Sequence, residues 1–345
     1  MSIGFVAPGF EKVREAFDAD PRGGSALAVI EGGEVVVDLR EGWRDAARTR
    51  PWDENTLVNV YSVGKPVIAL ALLLLAERGR VGLDDPVARH WPGFQTDATV
   101  RQALTHTAGV PVFPVKRPAA AWADWDLLCT DLAAAAPETP PGTVPAEHAL
   151  TYGHLIGEIV RRVDGRSPAR FVAEEIAGPY AADFGFGLAP VDVARCAEIE
   201  IGDVEWPDRQ TRFMANPPGA REPGVVNSAL WRSAVIPAVN LHATAVAIAR
   251  FYAALMSRPV GATMATAQVA GDDAFIGSPT VWGLGVQIEP DGSWGMGGMG
   301  GNAGWADPGR GRAIAYVTRR LGDFTVVDRV EQALAESSTP GAAGR

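Results

Sequence analysis

The sequence predicts an α+β protein in which helices flank one antiparallel sheet built from both ends of the chain. A mostly helical region is inserted between the two ends. Three observations support this fold class. Strand-like runs rich in β-branched residues lie near both termini, helical periodicity dominates the middle of the chain, and a short glycine turn separates the first two strand-like runs.

The N-terminal elements follow one another in a simple order. Residues 12–19 have the pattern of a short helix, and ALAVIEGGEVVVDLREG contains two β-rich runs on either side of the tetrapeptide EGGE. Paired glycines between two such runs predict a β-hairpin. A third short apolar run covers 57–61, and a helix is predicted over about 62–78, ended by Gly79.

The pattern changes at about residue 83. DLLCTDLAAAAP and LTYGHLIGEIVRRVDG have helical periodicity, and proline- and glycine-rich connectors such as ETPPGTVP separate them. A helix over 241–257, strand-like runs in VWGLGVQIE and RAIAYVTRR, and a last helix over about 326–336 complete the chain. We therefore predict a sheet domain formed by 1–82 together with 225–345, and a helical domain formed by 83–224.

The composition argues against several classes of function. The chain has 345 residues and a net charge of −10, which disfavours a nucleic-acid-binding protein and a polybasic membrane contact. The longest apolar run, 67–76, is shorter than the ~20 residues needed to span a bilayer. The segment MSIGFVAPGFEKVREAF lacks the charged and apolar regions of a secretory signal. We therefore expect a cytoplasmic protein that contacts neither nucleic acid nor membrane.

The cysteines and histidines do not indicate a metal site. Cys129 and Cys196 are the two cysteines, and neither they nor the five histidines have the spacing of metal ligands. Free, buried thiols are usual in a reducing compartment. Two free thiols and no metal or organic cofactor are therefore expected.

The stretch VYSVGKPVIALALLLLAERG contains the strongest candidate for chemistry. Ser62 and Lys65 are three residues apart, so a helix places both side chains on one face within reach of each other. Serine is a weak nucleophile until a base takes its proton, and a lysine can be that base if burial and a helix N-terminus lower its pKa. In most proteins a bare S-x-x-K is only a helix cap at the serine followed by a lysine that reaches solvent, so the context decides.

Three further segments supply that context. In ALTYGHLIGE, Tyr152 precedes an apolar helix, where a phenol can act as a base or as a proton donor to a leaving group, or can simply pack in the core. In RQALTHTAGV, His106 is expected to be structural. The glycines of GMGGMGGNAGWADP either allow a strand to offer N–H groups to an oxyanion or form a tight bend.

Together these segments resemble the serine β-lactamase-related family, which includes class C β-lactamases, DD-peptidases, family VIII carboxylesterases and lovastatin-type acyltransferases. The family pattern of S-x-x-K, L-T-H-T-S-G, Y-x-N or Y-x-x, and K-T-G or H-x-G is matched in order by SVGK, LTHTAG, YGH and MGG. The resemblance extends from GFVAPGFEKVREAF to AIAYVTRRLGD and is closest to the family VIII carboxylesterases. It implies a β-lactamase-like fold with the active site in the cleft between the two domains.

The resemblance also implies roles for individual residues. Ser62 would be the nucleophile that accepts the acyl group, Lys65 its hydrogen-bonded partner, and Tyr152 the general base or acid. The oxyanion hole would use the backbone N–H groups of Ser62 and Met299. No cofactor is required for this chemistry.

The remaining predicted binding residues include two departures from the family pattern. Gly297 and Gly298 complete the glycine-rich strand, and Trp294 is expected to line an apolar part of the pocket. His154 replaces the asparagine of Y-x-N, which contacts substrate amides in the lactamases. Met296 stands where the family has Lys or His, the cation that binds a substrate carboxylate and helps to hold the tyrosine as a phenolate. A thioether does neither well.

The function predicted from these residues is a serine acyl hydrolase of the carboxylesterase type, acting on small or medium esters through an acyl-Ser62 intermediate. Its partner would be a small-molecule acyl substrate. Two alternatives stay open: an acyltransferase that moves the acyl group to an alcohol or amine, and a non-catalytic or repurposed relative marked by Met296. A β-lactamase or DD-peptidase ranks last. The sequence leaves the substrate and the oligomeric state open.

Overall fold

The computed structural model describes residues 1–202, 204 and 206–337. These residues form fourteen strands, namely β1 (Ile3–Val6), β2 (Gly24–Glu31), β3 (Glu34–Gly42), β4 (Val58–Asn59), β5 (Phe184–Gly185), β6 (Glu200–Ile201), β7 (His242–Ala243), β8 (Val269–Asp272), β9 (Pro279–Trp282), β10 (Gln287–Ile288), β11 (Trp294–Gly298), β12 (Asn302–Asp307), β13 (Arg312–Thr318) and β14 (Arg320–Leu321).

The same residues form fourteen α-helices, several of only one turn. They are α1 (Glu11–Asp18), α2 (Lys65–Glu77), α3 (Val87–His90), α4 (Val100–Leu104), α5 (Trp125–Ala133), α6 (Tyr152–Asp164), α7 (Pro168–Val172), α8 (Pro190–Val193), α9 (Asp208–Phe213), α10 (Pro223–Val226), α11 (Ala229–Ser233), α12 (Ala245–Met256), α13 (Pro259–Met264) and α14 (Thr325–Ala335). Short 3-10 turns cover Ser62–Gly64 and Ala119–Ala123, and Ala173–Ala177 forms a π-helical turn.

Both ends of the chain build one antiparallel sheet, as predicted. Its nine strands lie in the order β1-β3-β2-β13-β12-β11-β10-β9-β8. The N-terminal hairpin joins the C-terminal strands through the pairing of β2 with β13, which extends from Ser25 opposite Thr318 to Glu31 opposite Arg312. The hairpin turn contains Gly32 and Gly33, both with positive φ, because the two-residue turns that match strand twist need this conformation.

Helices cover both faces of the centre of the sheet. Successive side chains of a strand point to opposite faces, so Leu27 and Val29 of β2 pack with α1 and α14. Ala26 and Ala28 lie on the other face, which contacts α12. This burial on both faces explains why β2 and β13 are apolar nearly throughout.

The helix that follows the S-x-x-K tetrad lies at the centre of the molecule. Every residue of α2 from Lys65 to Leu75 is buried, and α2 packs against α6 of the helical region. A helix that is apolar on all sides requires neighbours all around it. The prediction of a helix over 62–78 is confirmed, except that its first turn is 3-10 rather than α.

The predicted division into two domains stays a prediction. Two short sheets connect the segments concerned, because β5 pairs with β7 and β6 pairs with β14. Cys129 and Cys196 are buried and free, as expected. Among the described residues, no helix is both long and apolar enough to cross a bilayer.

Candidate active site

Ser62 lies in a strained turn between a strand and the buried helix. β4 ends at Asn59, a 3-10 turn covers Ser62–Gly64, and α2 begins at Lys65. Tyr61 is fully buried and has a φ of 51°, which costs a non-glycine residue about 1–3 kcal/mol. The packing around Tyr61 therefore maintains a backbone conformation that the isolated segment would not favour, immediately before the candidate nucleophile.

Ser62, Lys65 and Glu147 form a compact hydrogen-bonded cluster. Lys65 Nζ lies 2.6 Å from Ser62 Oγ and 2.8 Å from Glu147 Oε1. The Ser62 hydroxyl donates to the same carboxylate oxygen at 3.2 Å. Each side chain of this cluster contacts the other two. The serine thus has a proton acceptor on one side and a cation beside its oxygen, which is the arrangement that activates a hydroxyl nucleophile.

The burial of Lys65 is compensated by these contacts. Its side chain has no exposed surface, and an ammonium has three donors. Those donors meet Ser62 Oγ, Glu147 Oε1 and the carbonyl of Ala238, which lies 3.2 Å away. Burial lowers the pKa of Lys65, and the carboxylate of Glu147 opposes that shift. The lysine is therefore held beside the serine inside the protein rather than reaching solvent.

A second buried carboxylate positions Glu147. Asp273 is 1% exposed, and its Oδ1 accepts the backbone N–H of Glu147 at 3.1 Å. The same oxygen accepts the N–H groups of Phe275 and Ile276 at 2.9 and 3.0 Å, and Oδ2 accepts the Trp282 indole N–H at 3.0 Å. Asp273 therefore connects the backbone of Glu147 to a neighbouring loop and to β9.

The structure corrects the prediction for Tyr152. This residue is fully buried, and its hydroxyl donates to the carbonyl of Leu104 at 3.2 Å. Its ring packs on the ring of His106 at a centroid distance of 4.4 Å, and burial raises the pKa of the phenol. Tyr152 begins α6 and packs inside the protein, whereas the group beside Ser62 comes from the segment before that helix, at Glu147.

The histidines of the two motifs are also core residues. His106 was expected to be structural, and its Nδ1 accepts the backbone N–H of His148 at 3.0 Å. His154 was expected to contact substrate, but its ring stacks on Trp125 at 4.6 Å and meets Phe113 edge-on at 5.4 Å. Burial lowers the pKa of His154 to about 3. It is a neutral member of an aromatic cluster, and the prediction of a substrate contact is corrected.

The end of β11 lies against the turn that carries Ser62. A Cβ atom on Gly298 would stand 2.4 Å from the carbonyl oxygen of Val60 and 3.0 Å from a methyl of Val63. Only a residue without a side chain allows this approach. Asn302 Nδ2 donates to the carbonyl of Met299 at 3.2 Å and so holds the following turn. This is the segment from which the backbone N–H of Met299 was predicted to serve the oxyanion.

Ser62 opens into a cavity of about 310 Å³. Four other predicted residues line it: Met296, Gly297, Gly298 and Met299. The remaining walls are mostly apolar and comprise Tyr61, Glu147, Ala149, Trp206, Gln210, Met214, Arg221, Val239, Phe275, Ile276, Gln287, Gly300, Gly322 and Phe324. A mainly apolar cavity with a few polar groups at one end suits a small organic substrate.

Trp294 is displaced from this cavity, which corrects its predicted role. It lies four residues before Gly298 on β11, where it packs against the ring of Tyr252 at 5.7 Å. It lines a neighbouring cavity of about 680 Å³. This cavity shares Gln287, Met296, Gly297 and Phe324 with the cavity beside Ser62. Trp294 and Gly298 are four residues apart, so their positions lie on the same face of β11. Trp294 is at the other end of the strand, away from Ser62.

Replacing Gly298 by Ala is expected to lower kcat/KM for p-nitrophenyl butyrate at least about tenfold, because the added methyl would force β11 away from the Val60 carbonyl. The thermal unfolding midpoint of each protein is measured as well, so that the kinetic comparison is made between folded proteins. Gly224→Ala is the control, since nothing lies within 4 Å of the Cβ position there. An unchanged kcat/KM in the Gly298 variant would show that this close approach does not matter for the site.

Glu147 is the member of the Ser62 cluster that sequence reasoning missed. In AEHALTYGHL, Tyr152 directly precedes an apolar helix and was predicted as the general base or acid. The carboxylate five residues earlier was not predicted. The available signal was Lys65 itself, because a buried ammonium requires a counter-charge. Among the described residues, no group of three or more His, Cys, Asp or Glu side chains is arranged to hold a metal ion.

The fold and the cluster around Ser62 define the protein as a serine hydrolase. More specifically, the chain belongs to the beta-lactamase family, whose family model matches residues 11–337. The resemblance inferred from the motifs is therefore confirmed, together with the β-lactamase-like fold.

Individual relatives agree with this assignment. The chain is 34% identical over 337 residues to the esterase/beta-lactamase LipL of Mycobacterium tuberculosis, covering 87% of this chain and 77% of LipL. A solved family VIII carboxylesterase has a TM-score of 0.89 and 32% identity, covering 97% of this chain and 100% of that chain. A penicillin-binding protein homologue from Caulobacter crescentus has a TM-score of 0.88 and 33% identity, with the same coverage.

Proposed function

We propose that the protein is a carboxylesterase that cleaves small or medium esters through an acyl intermediate on Ser62. The observation that carries the proposal is the set of mutual contacts among Ser62, Lys65 and Glu147 at one end of a mainly apolar cavity. The similarity to LipL, which is named as an esterase, and to a family VIII carboxylesterase supports it.

In the first step, Ser62 Oγ forms a bond to the ester carbonyl carbon while its proton passes to Glu147, the acceptor it already faces. The ammonium of Lys65 stabilises the negative charge that develops on the serine oxygen. The carbonyl oxygen becomes the oxyanion, for which the backbone N–H groups of Ser62 and Met299 are the proposed donors.

Collapse of the tetrahedral intermediate breaks the bond to the leaving alkoxide, which takes the proton from Glu147 and departs as the alcohol. Water then enters, gives a proton to Glu147 and attacks the acyl carbon. The second intermediate releases the carboxylic acid as the proton returns to Ser62 Oγ. The cluster finishes in its starting protonation state, so the two half-reactions need no further reactant.

The presence of Glu147 accounts for the absence of a cation at position 296. A phenol ionises at about pH 10 in water and needs a neighbouring cation to act as a base, whereas a carboxylic acid ionises at about pH 4. With a carboxylate beside Ser62, the base needs no help from the residue at position 296. Met296 then serves as part of the apolar wall, and its presence is compatible with catalysis.

Replacing Ser62 by Ala is expected to reduce hydrolysis of p-nitrophenyl butyrate by at least about 10³-fold, because the atom that accepts the acyl group is lost. Released nitrophenol is measured alongside the intact mass after treatment with a fluorophosphonate. Wild-type protein should gain one adduct that maps to Ser62, and the variant should gain none.

Wild-type rates in purified Ser62→Ala protein would contradict the proposal, as would labelling at another residue. Thr143→Ala is a suitable control, since it removes an exposed hydroxyl that bonds only locally to the Pro140 carbonyl. Adding alcohols to the same assay reports any acyl transfer as a second ester product.

A further inference from the structure

The cavity beside Ser62 contains a cation that the proposed hydrolysis does not use. Among the described residues that line it, two carry charge: Glu147 and Arg221. Glu147 is paired with Lys65. Arg221 lies just before the short helix α10, on the segment that connects it to α9.

Among the described residues, the guanidinium of Arg221 contacts Thr211 and Trp206. Its Nη1 donates to Thr211 Oγ1 at 3.3 Å, and its central carbon lies 5.6 Å from the centre of the Trp206 ring. Within residues 1–202, 204 and 206–337, no carboxylate lies within ion-pair distance of it. A guanidinium has five N–H donors, and the described residues take up one of them.

The surroundings also favour anion binding by this side chain. Arg221 is only partly exposed, and burial lowers its pKa. A partly desolvated cation gains more from an anion than a fully hydrated one does. The indole ring of Trp206 lies beside the guanidinium and limits its orientations, which reduces the ordering cost of binding.

We propose that Arg221 binds an anionic group of the substrate, so that the preferred esters carry a free carboxylate at the end of the acyl chain. This inference rests on the proposed esterase activity and adds the substrate class. Loss of the family cation at position 296 argued against recognition of a substrate carboxylate. Arg221 provides a cation from a different wall of the same cavity, and hydrolysis of the ester would proceed unchanged at Ser62.

The test compares two p-nitrophenyl esters of equal chain length, the hexanoate and the adipate hemiester, which ends in a carboxylate. Wild-type protein should show at least about a tenfold higher kcat/KM for the adipate ester, mainly through a lower KM, as expected for a charge-assisted bond at a partly exposed site. Arg221→Gln should abolish this preference, measured as the ratio of the two kcat/KM values, so that any change common to both esters cancels. Arg221→Lys should retain part of it.

Arg212→Gln is the matched control. Arg212 is exposed, belongs to α9 and pairs with Glu138, so this substitution removes the same charge near the site without removing the proposed contact. The adipate preference should persist in the control and should decrease with added salt in the wild type. A structural role of Arg221 would lower both rates together and leave their ratio unchanged.

Each outcome separates the two proposals. If neither ester is hydrolysed, the esterase proposal fails. If the hexanoate is hydrolysed but the wild type shows no preference for the adipate ester, or if Arg221→Gln retains that preference, the esterase proposal stands and the role of Arg221 is wrong.

Discussion

Replacing Glu147 by Gln is expected to lower kcat for ester hydrolysis by about 10²–10⁴-fold, whereas Tyr152→Phe leaves kcat within about twofold. The amide of glutamine fills the same space but does not accept the serine proton. The hydroxyl of Tyr152 bonds to the Leu104 carbonyl inside the protein, so its loss should cost about 1 kcal/mol of stability without affecting the acyl transfer. Steady-state kinetics on p-nitrophenyl butyrate measures both effects.

The Glu147 variant needs a check on folding, because removal of the carboxylate leaves the Lys65 ammonium buried without a counter-charge, which costs about 3–5 kcal/mol. Urea unfolding and circular dichroism establish whether the protein remains folded under assay conditions. Glu147→Asp retains the charge, but its side chain is one methylene shorter and places the carboxylate farther from Ser62. Its kcat should therefore fall between those of the wild type and Glu147→Gln. The opposite ranking of Tyr152→Phe and Glu147→Gln would restore the tyrosine as the base and refute our assignment.

Acidification from pH 7 to pH 5 is expected to remove about 6 kcal/mol or more of the free energy of unfolding. Burial lowers the pKa of His148 to about 4 and that of His154 and His242 to about 3. Burial also places the pKa of His106 well below its usual value. Between about pH 6.5 and these values the unfolded chain binds protons that the folded protein does not, so stability falls as pH falls.

The magnitude follows from the same pKa values. At pH 5 each of the three histidines with pKa values of 3 to 4 costs about 2 kcal/mol, and His106 acts in the same direction. Glu331 opposes them, because desolvation and the neighbouring Asp328 raise its pKa to about 7, but its exposed position makes this offset small. A loss of this size is comparable with the whole stability of a typical domain, about 5–15 kcal/mol.

Urea unfolding at several pH values measures the effect. His154→Phe provides the matched variant, because neither ring nitrogen of His154 has a hydrogen-bond partner among the described residues and its ring stacks on Trp125. This variant should take up one proton fewer on unfolding and lose about 2 kcal/mol less between pH 7 and pH 5. Equal stability of the wild type at the two pH values would show that these histidines are not buried in neutral form.

Local patterns predicted most of the regular structure. The hairpin of β2 and β3 followed from two β-rich runs around paired glycines, and α2 followed from one long apolar run. Apolar runs and turn glycines are local features of the sequence, so they located these elements without knowledge of the fold. The short 3-10 turn at Ser62–Gly64 was not predicted, because it depends on the strained backbone at Tyr61, which only the surrounding packing maintains.

Some site residues were also predictable from local sequence, and others were not. Met296, Gly297, Gly298 and Met299 line the cavity, and the glycine-rich segment that contains them is recognisable from its composition. Trp294 and His154 were predicted to lie in the site because each is close to a motif in the sequence. The position of a residue on a strand or helix does not indicate which neighbour its side chain will pack against. Their rings lie in apolar clusters formed by α12 and α5.

By itself, the sequence determined the pairing of Ser62 with Lys65. Residues three apart at the start of a helix are brought together by helical geometry alone. Only the tertiary structure decided which group accepts the serine proton. Glu147 is 85 positions from Ser62, and Asp273, a further 126 positions along the chain, holds its backbone. Such contacts arise from the packing of distant segments and depend on the whole fold. A sequence motif, in contrast, reflects only interactions between residues that are close together in the chain.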